Sequence, residues 1–137
     1  MNKTDEDLTE INRITEKIIG CAIEVHRIMG PGLLESIYEE CLAIEFELNY
    51  LAFERQKSMG LTYKGHDVGK ELRVDFLVES KVIVELKSVE AFVPIHYAQT
   101  LSYLNLTNLQ IGLLINFNVP VLKSGIKRLL NKYYKKA

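Results

Sequence analysis

The sequence has only two cysteines, Cys21 and Cys41, each inside an apolar pattern of helical spacing and neither with a C-x-x-C partner. A disulfide-stapled scaffold and a cysteine-based zinc site are therefore not expected, and buried reduced thiols are. His26, His66 and His96 also lack zinc-ligand spacing. No apolar run reaches the roughly 18 residues of a membrane span. The opening stretch from Met1 to Asp7 is acidic and unlike a signal peptide, so a cytoplasmic location is expected. A G-x-x-x-x-G-K-S/T loop is missing, which gives no support for ATP-driven activity. Repeats, low-complexity tracts and linkers are missing too. At 137 residues, the chain is expected to fold as a single domain (1–137) around one core.

Acidic side chains are absent beyond Glu90. Residues 1–90 carry 11 Lys+Arg against 18 Asp+Glu, a balance of −7, whereas residues 91–137 carry six basic side chains and no acidic ones, +6; the net −1 conceals this separation. A basic C-terminal third is a candidate phosphate-facing surface. Lys123, Lys127 and Arg128 are expected to contact a nucleic-acid backbone. Lys132, Lys135 and Lys136 are read equally well as a solvated helix face.

Hydrophobic periodicity outlines the elements. Ile11, Ile14, Ile18, Ala22, Val25 and Met29 recur at helical spacing, giving a helix over about 7–29 that Gly30-Pro31-Gly32 terminates. A second helix, about 33–48, has an apolar stripe through Leu34, Ile37, Tyr38, Cys41, Ile44 and Leu48, with Glu35 at its border. Glu45 falls inside that stripe, where an unpaired charge is expensive; a buried pairing with a base such as Arg55 is expected, with catalysis the lesser reading. Strands are expected within about 51–63, at 72–78, at 81–87 and at 109–117. Lys64-Gly65 and Asp67-Val68-Gly69 are the turn signals before the second of these. Pro94 suits the first turn of a helix to about 106, and a last helix over about 123–134 carries Ile126, Leu129, Leu130 and Tyr133. This order predicts an α/β domain with a central mixed sheet flanked by helices.

Two of the strands carry the chemistry. Period-two alternation sets Asp75 opposite in direction to Leu72, Val74, Phe76 and Val78, and it puts Glu85 and Lys87 together on the other side from Val82, Val84 and Leu86. If Glu79-Ser80-Lys81 is a three-residue hairpin loop, Val78 pairs with Val82 and Asp75 faces Glu85. Cross-strand side chains on one face have Cβ atoms about 4.5–5.5 Å apart, close enough for two carboxylates to share one cation. The same parity is expected to keep Val74, Phe76, Val84 and Leu86 on a common buried face.

Asp75 followed by Glu85-Leu86-Lys87 resembles the PD-(D/E)XK nuclease superfamily, although Val74 stands where that motif often has proline. Upstream, Gly32-Leu33-Leu34-Glu35-Ser36-Ile37-Tyr38 is similar to the G-x-x-E-x-x-Y signature of one family in that superfamily. Downstream, Gln99-Thr100-Leu101-Ser102-Tyr103 resembles the Q-x-x-x-Y motif of its exonuclease-like branch. The resemblance runs from about Ile11 to Arg128 and implies a restriction-endonuclease-like core hydrolysing phosphodiesters, with DNA favoured over RNA. It implies Mg²⁺ or Mn²⁺ held by Asp75, Glu85 and the carbonyl of Leu86, with Lys87 and Glu35 catalytic and Gln99 and Tyr103 positioning the lysine or the substrate. Mg²⁺ prefers hard oxygens, usually one or two carboxylates with water and phosphate completing the octahedron.

Two other classes stay open. One is a nucleic-acid-binding module that keeps the fold without turnover, and the other is a regulatory protein-interaction module. Homodimerisation is also left open.

Overall fold

Lys64 and Gly65, both at positive φ (49° and 80°), close a tight turn of the kind that favours right-twisted hairpins. The computed structural model describes residues 3–136, with side chains from Leu8 onward. The Lys64-Gly65 turn joins β1 (Phe53–Tyr63) to β2 (His66–Val78), and β3 (Val82–Lys87) follows after the Glu79-Ser80-Lys81 loop. Glu79 and Ser80 both adopt left-handed backbone there, and Val78 pairs with Val82 as the three-residue loop requires. β2 begins six residues earlier than its alternation suggests. Asp67-Val68-Gly69 does not end the strand: Asp67 pairs with Thr62 and Glu71 with Gly60, and the bulge between them holds Gly69, whose N–H donates to Asp67 Oδ1 at 2.7 Å.

Helix α3 (Pro94–Thr107) crosses from β3 to β4 (Ile111–Asn116), which lies parallel to β3; every other neighbouring pair is antiparallel, in the order β1-β2-β3-β4-β5. All six residues of β4 are buried, as a central strand covered on both faces demands. The result is a single α/β domain. Helices α1 (Lys3–Met29) and α2 (Glu35–Leu48) cover one face of the sheet. Ile11, Ile14, Ile18, Ala22 and Val25 pack there with Tyr38, Leu42, Phe46, Phe76, Val84 and Leu86. On the other face Leu104 of α3 packs on Val74, Leu77 and Ile83. A β-carbon on Gly112 would sit 3.1 Å from Thr100 Cγ2, so the bare glycine lets α3 approach β4 closely. Among the described residues, no helix is long and apolar enough to cross a membrane.

Further expectations are corrected. The helix over 123–134 is instead a 3₁₀ turn (Leu122–Gly125) followed by strand β5 (Ile126–Leu130), antiparallel to β4. Ile126, Leu129 and Leu130 have helical spacing, but the open edge of β4 offers unpaired backbone groups, and tertiary pairing outweighs so short a pattern. A β-carbon on Gly125 would collide with the Asn116 carbonyl oxygen, which fixes this turn against the end of β4.

The stripe of α2 is rotated from its expected direction. Tyr38, Leu42, Ala43 and Phe46 are buried, whereas Leu34, Ile44 and Leu48 are 71%, 56% and 66% exposed. Glu45, consequently, is not a buried partner of Arg55. It accepts a hydrogen bond from Asn49 Nδ2 at 3.3 Å, and Arg55 pairs with Glu39 (2.8 Å) and Glu40 (2.6 Å).

Val74, lastly, does not share a face with Phe76. It packs with Leu77, Ile83 and Leu104, while Phe76 belongs to the core under α1 and α2. The alternation of β2 breaks at Asp75.

Candidate functional site

That break is local and has a visible cause. The β1–β2 ladder pairs Arg55 with Phe76 and Lys57 with Val74 but leaves out the rung between Gln56 and Asp75. Gln56 adopts φ +46°, unusual for a side chain larger than glycine, and such outliers concentrate at functional sites. On the other side of β2, the Asp75 N–H donates to Glu85 Oε1 (2.9 Å), and the Leu86 N–H donates to Asp75 Oδ2 (2.8 Å). Each carboxylate thus takes a backbone donor of the opposite strand just beyond the Phe76–Val84 pair. Asp75 Oδ1 accepts from Gln56 Nε2 (3.2 Å), which also donates to Glu39 Oε1 (2.5 Å).

Burial makes this cluster electrostatically tense. Glu85 is 8% exposed; loss of solvation, then the Asp75 charge, pushes its carboxyl up to about 8. Asp75, half-buried, is raised chiefly by desolvation, which outweighs its bonds from Leu86 and Gln56. The nearby Glu39 charge raises it further, and Lys87 opposes the rise at both Asp75 and Glu85. Low-dielectric surroundings that disfavour a charge also strengthen its attraction to any cation that enters.

The loop before α2 is tied to this end of the sheet. Tyr38 is fully buried and stacks on Phe117 with ring centroids 4.4 Å apart. Its hydroxyl donates to the Gly30 carbonyl (2.6 Å) and accepts from the Leu33 N–H (3.1 Å). Ser88 Oγ donates to the Leu33 carbonyl (2.6 Å), joining that loop to the residue after Lys87. Buried Asn116 clamps Val89 from β4, donating to its carbonyl (2.9 Å) and accepting from its N–H (3.1 Å). Tyr38 therefore has a structural position in the G-x-x-E-x-x-Y stretch. Glu35, the first residue of α2, is exposed, yet close enough that its charge adds to the rise at Glu85.

The remaining sequence candidates are placed less tightly. Leu86 is buried in the core, and its N–H is committed to Asp75. Gln99 Nε2 donates to Tyr103 Oη at 2.8 Å on α3, and neither bonds to Lys87. Lys123 is exposed on the 3₁₀ turn. Lys127 lies on the rung Glu85–Leu114–Lys127, two strands from Glu85 and on the same face, about 10 Å away at ordinary strand spacing. Arg128 belongs to the next rung, faces α1, and hydrogen-bonds the Asn12 side-chain oxygen.

Glu39 and Gln56 are the residues that sequence reasoning missed. Glu39 directly follows Tyr38 and could have been found as a second acid beside Glu35. Gln56 could not. Counting back from the Lys64-Gly65 turn pairs it with Arg73, and only the register shift between Gly60 and Thr62 brings it beside Asp75.

Two neighbouring carboxylates suit a hard divalent cation, with water and phosphate oxygens completing the shell. Among the described residues, no three His, Cys, Asp or Glu side chains converge as a ligand group. Asp75 and Glu85 are the two carboxylates that the strand pairing brings together. A family model described as the PD-(D/E)XK nuclease superfamily matches residues 12–129. No curated protein and no solved structure matches the chain.

Proposed function

The chain belongs to the PD-(D/E)XK nuclease superfamily, and on that premise we propose that it hydrolyses phosphodiester bonds of nucleic acid, DNA in preference to RNA, using Mg²⁺ or Mn²⁺ at Asp75 and Glu85. The observation that carries this reading is the reciprocal pair itself. Two carboxylates are held side by side by each other's strand, one of them buried with its pKa raised to about 8. A negative pair repels phosphate unless a cation lies between them. The Glu35-to-Tyr38 stretch supports assignment to the G-x-x-E-x-x-Y family.

A bound divalent ion supplies an acidified water and stabilises charge on the phosphoryl oxygens. The protein's residues do the rest. Asp75 is oriented by Gln56 and Leu86, Glu85 by the Asp75 N–H, and the Leu86 carbonyl is a candidate third ligand. Lys87, half-buried beside both acids, orients the attacking water or neutralises the phosphate. Glu35 holds a further water at the α2 end of the site. Gln99 and Tyr103, bonded to each other, form a rigid pair on α3 for substrate positioning. Lys123 and Lys127 add backbone affinity, with Lys127 the better placed, whereas Arg128, turned toward α1 and bonded to Asn12, contributes little. Cys21 and Cys41 are free thiols, which suits a reducing, cytoplasmic setting.

A second reading is a binding module without turnover, favoured by the lack of a third converging acidic or imidazole side chain among the described residues. Incubating the purified protein with labelled duplex and single-stranded DNA and RNA, with Mg²⁺ or with chelator, separates the two. Chelator-sensitive cleavage supports the nuclease; metal-independent binding without products supports the module.

A further inference from the structure

β3 pairs with only the last three residues of β2, Phe76–Val78, so the β1–β2 ribbon runs on alone past the site. Every residue from Thr62 to Glu71 is exposed, and Met59 is anchored only at the ribbon's base. An isolated two-stranded ribbon is marginally stable in water, so burial does not account for this one.

We propose that the ribbon from Lys57 to Arg73 is a duplex-DNA grip whose outer part enters the major groove next to the Asp75 site; this rests on the nuclease reading above and names its substrate as B-form duplex. Charge supports it. The ribbon carries four bases (Lys57, Lys64, Lys70, Arg73) and two acids (Asp67, Glu71), +2, while the other residues up to 90 carry seven bases and 16 acids, −9. Lys57 is spent on Glu54 (2.7 Å), but Lys64, Lys70 and Arg73 have no carboxylate partner among the described residues. These three project from a net-basic segment in an acidic stretch of chain.

Shape supports it as well. A two-stranded ribbon fits the roughly 12 Å wide major groove of B-DNA, whereas the major groove of A-form RNA is too deep and narrow, and a single strand has no groove. From Lys57 to Lys64 the strand extends about 23 Å at about 3.3 Å per residue. That exceeds the groove depth of about 8.5 Å, so the tip can enter while the base stays beside Asp75. The register shift between Gly60 and Thr62 and the left-handed Gly69 (φ +67°) add the local twist a helical groove requires. Lys127, on the opposite side of Glu85, is placed to take the backbone across the site.

The test is fluorescence anisotropy with Ca²⁺ in place of Mg²⁺, on duplex DNA, single-stranded DNA and duplex RNA of one sequence. Two variants are compared with the natural protein. One combines Lys64→Gln, Lys70→Gln and Arg73→Gln; in the other an Asn-Gly turn joins Gly60 directly to Glu71, a pair that already face each other. Thermal unfolding checks that both are folded. The natural protein should prefer duplex DNA, and both variants should lose roughly 10- to 100-fold in duplex affinity. The triple variant should also flatten the slope of log affinity against log salt by about 0.9 per lost phosphate contact. Cleavage of bis(p-nitrophenyl) phosphate, a diester too small for a groove, should be unchanged. Unaltered duplex affinity in both variants, or equal binding of all three nucleic acids by the natural protein, overturns the grip while leaving the nuclease reading standing. Absence of any nucleic-acid binding overturns both.

Discussion

The Asp75 backbone N–H donates to the Glu85 carboxylate at 2.9 Å, and the Asp75 carboxylate accepts in return from the residue after Glu85 at 2.8 Å. Side chains here replace the backbone rungs that would otherwise continue the β2–β3 ladder. Two acids are thereby fixed together at the place where β2 loses its alternation.

Such a pair titrates in a defined direction. Glu85 is raised from 4.5 to about 8, so between those values the folded protein holds a proton that the unfolded chain has released. Stability without metal should fall as pH rises from about 4.5 to about 8, by an amount on the order of a few kcal/mol. Glu85→Gln should remove most of this slope and melt higher than the natural protein at pH 8, with the difference vanishing near pH 4. Mg²⁺ at pH 8 should raise the Tm of the natural protein and not that of the variant. Melting curves across pH, with and without Mg²⁺, check all three.

Gln56 is strained and bridges Glu39 to Asp75. Gln56→Gly relieves the positive φ but deletes the amide. It should melt no lower than the natural protein while losing about 10- to 100-fold in turnover, the equivalent of a hydrogen bond to a charged group. Undiminished turnover in this variant would make the bridge incidental.

Tyr38→Phe tests the structural half of the G-x-x-E-x-x-Y stretch. Removing the hydroxyl leaves the Gly30 carbonyl and the Leu33 N–H short of a buried partner, which should cost about 1–3 kcal/mol in denaturant unfolding. An unchanged midpoint would mean that the loop before α2 is held by Ser88 and packing alone.

Lys127 and Arg128 are neighbours in sequence that face opposite sides of the sheet. Lys127→Gln should reduce the salt dependence of nucleic-acid binding by about 0.7–0.9 units, and Arg128→Gln should do little beyond freeing Asn12. Equal effects would place the nucleic acid across the edge of β5 instead of over the site's face.

The closeness of Asp75 and Glu85 was legible because the Glu79-Ser80-Lys81 loop sets the Val78–Val82 register, which brings both acids to the same end of the β2–β3 pairing. The first three helices and the fully buried β4 followed from hydrophobic period. What was not legible depended on distant partners. Leu34, Ile44 and Leu48 fit an apolar stripe, but Tyr38 and Phe46 set the helix rotation through Phe117, Phe53 and Phe76. Ile126 to Leu130 read as helix because the sequence cannot show that β4 has a free edge. Val74 changed face, and Gln56 reached Asp75, through backbone irregularities that no side-chain period records.

The most direct measurement is the Mg²⁺-dependent rate of duplex DNA cleavage by the natural protein and by Asp75→Ala, Glu85→Ala and Lys87→Ala, purified identically and shown to be folded. The account predicts cleavage by the natural protein that chelator abolishes, with each variant slower by on the order of 10²-fold or more. Cleavage at the natural rate by Asp75→Ala or Glu85→Ala would contradict it.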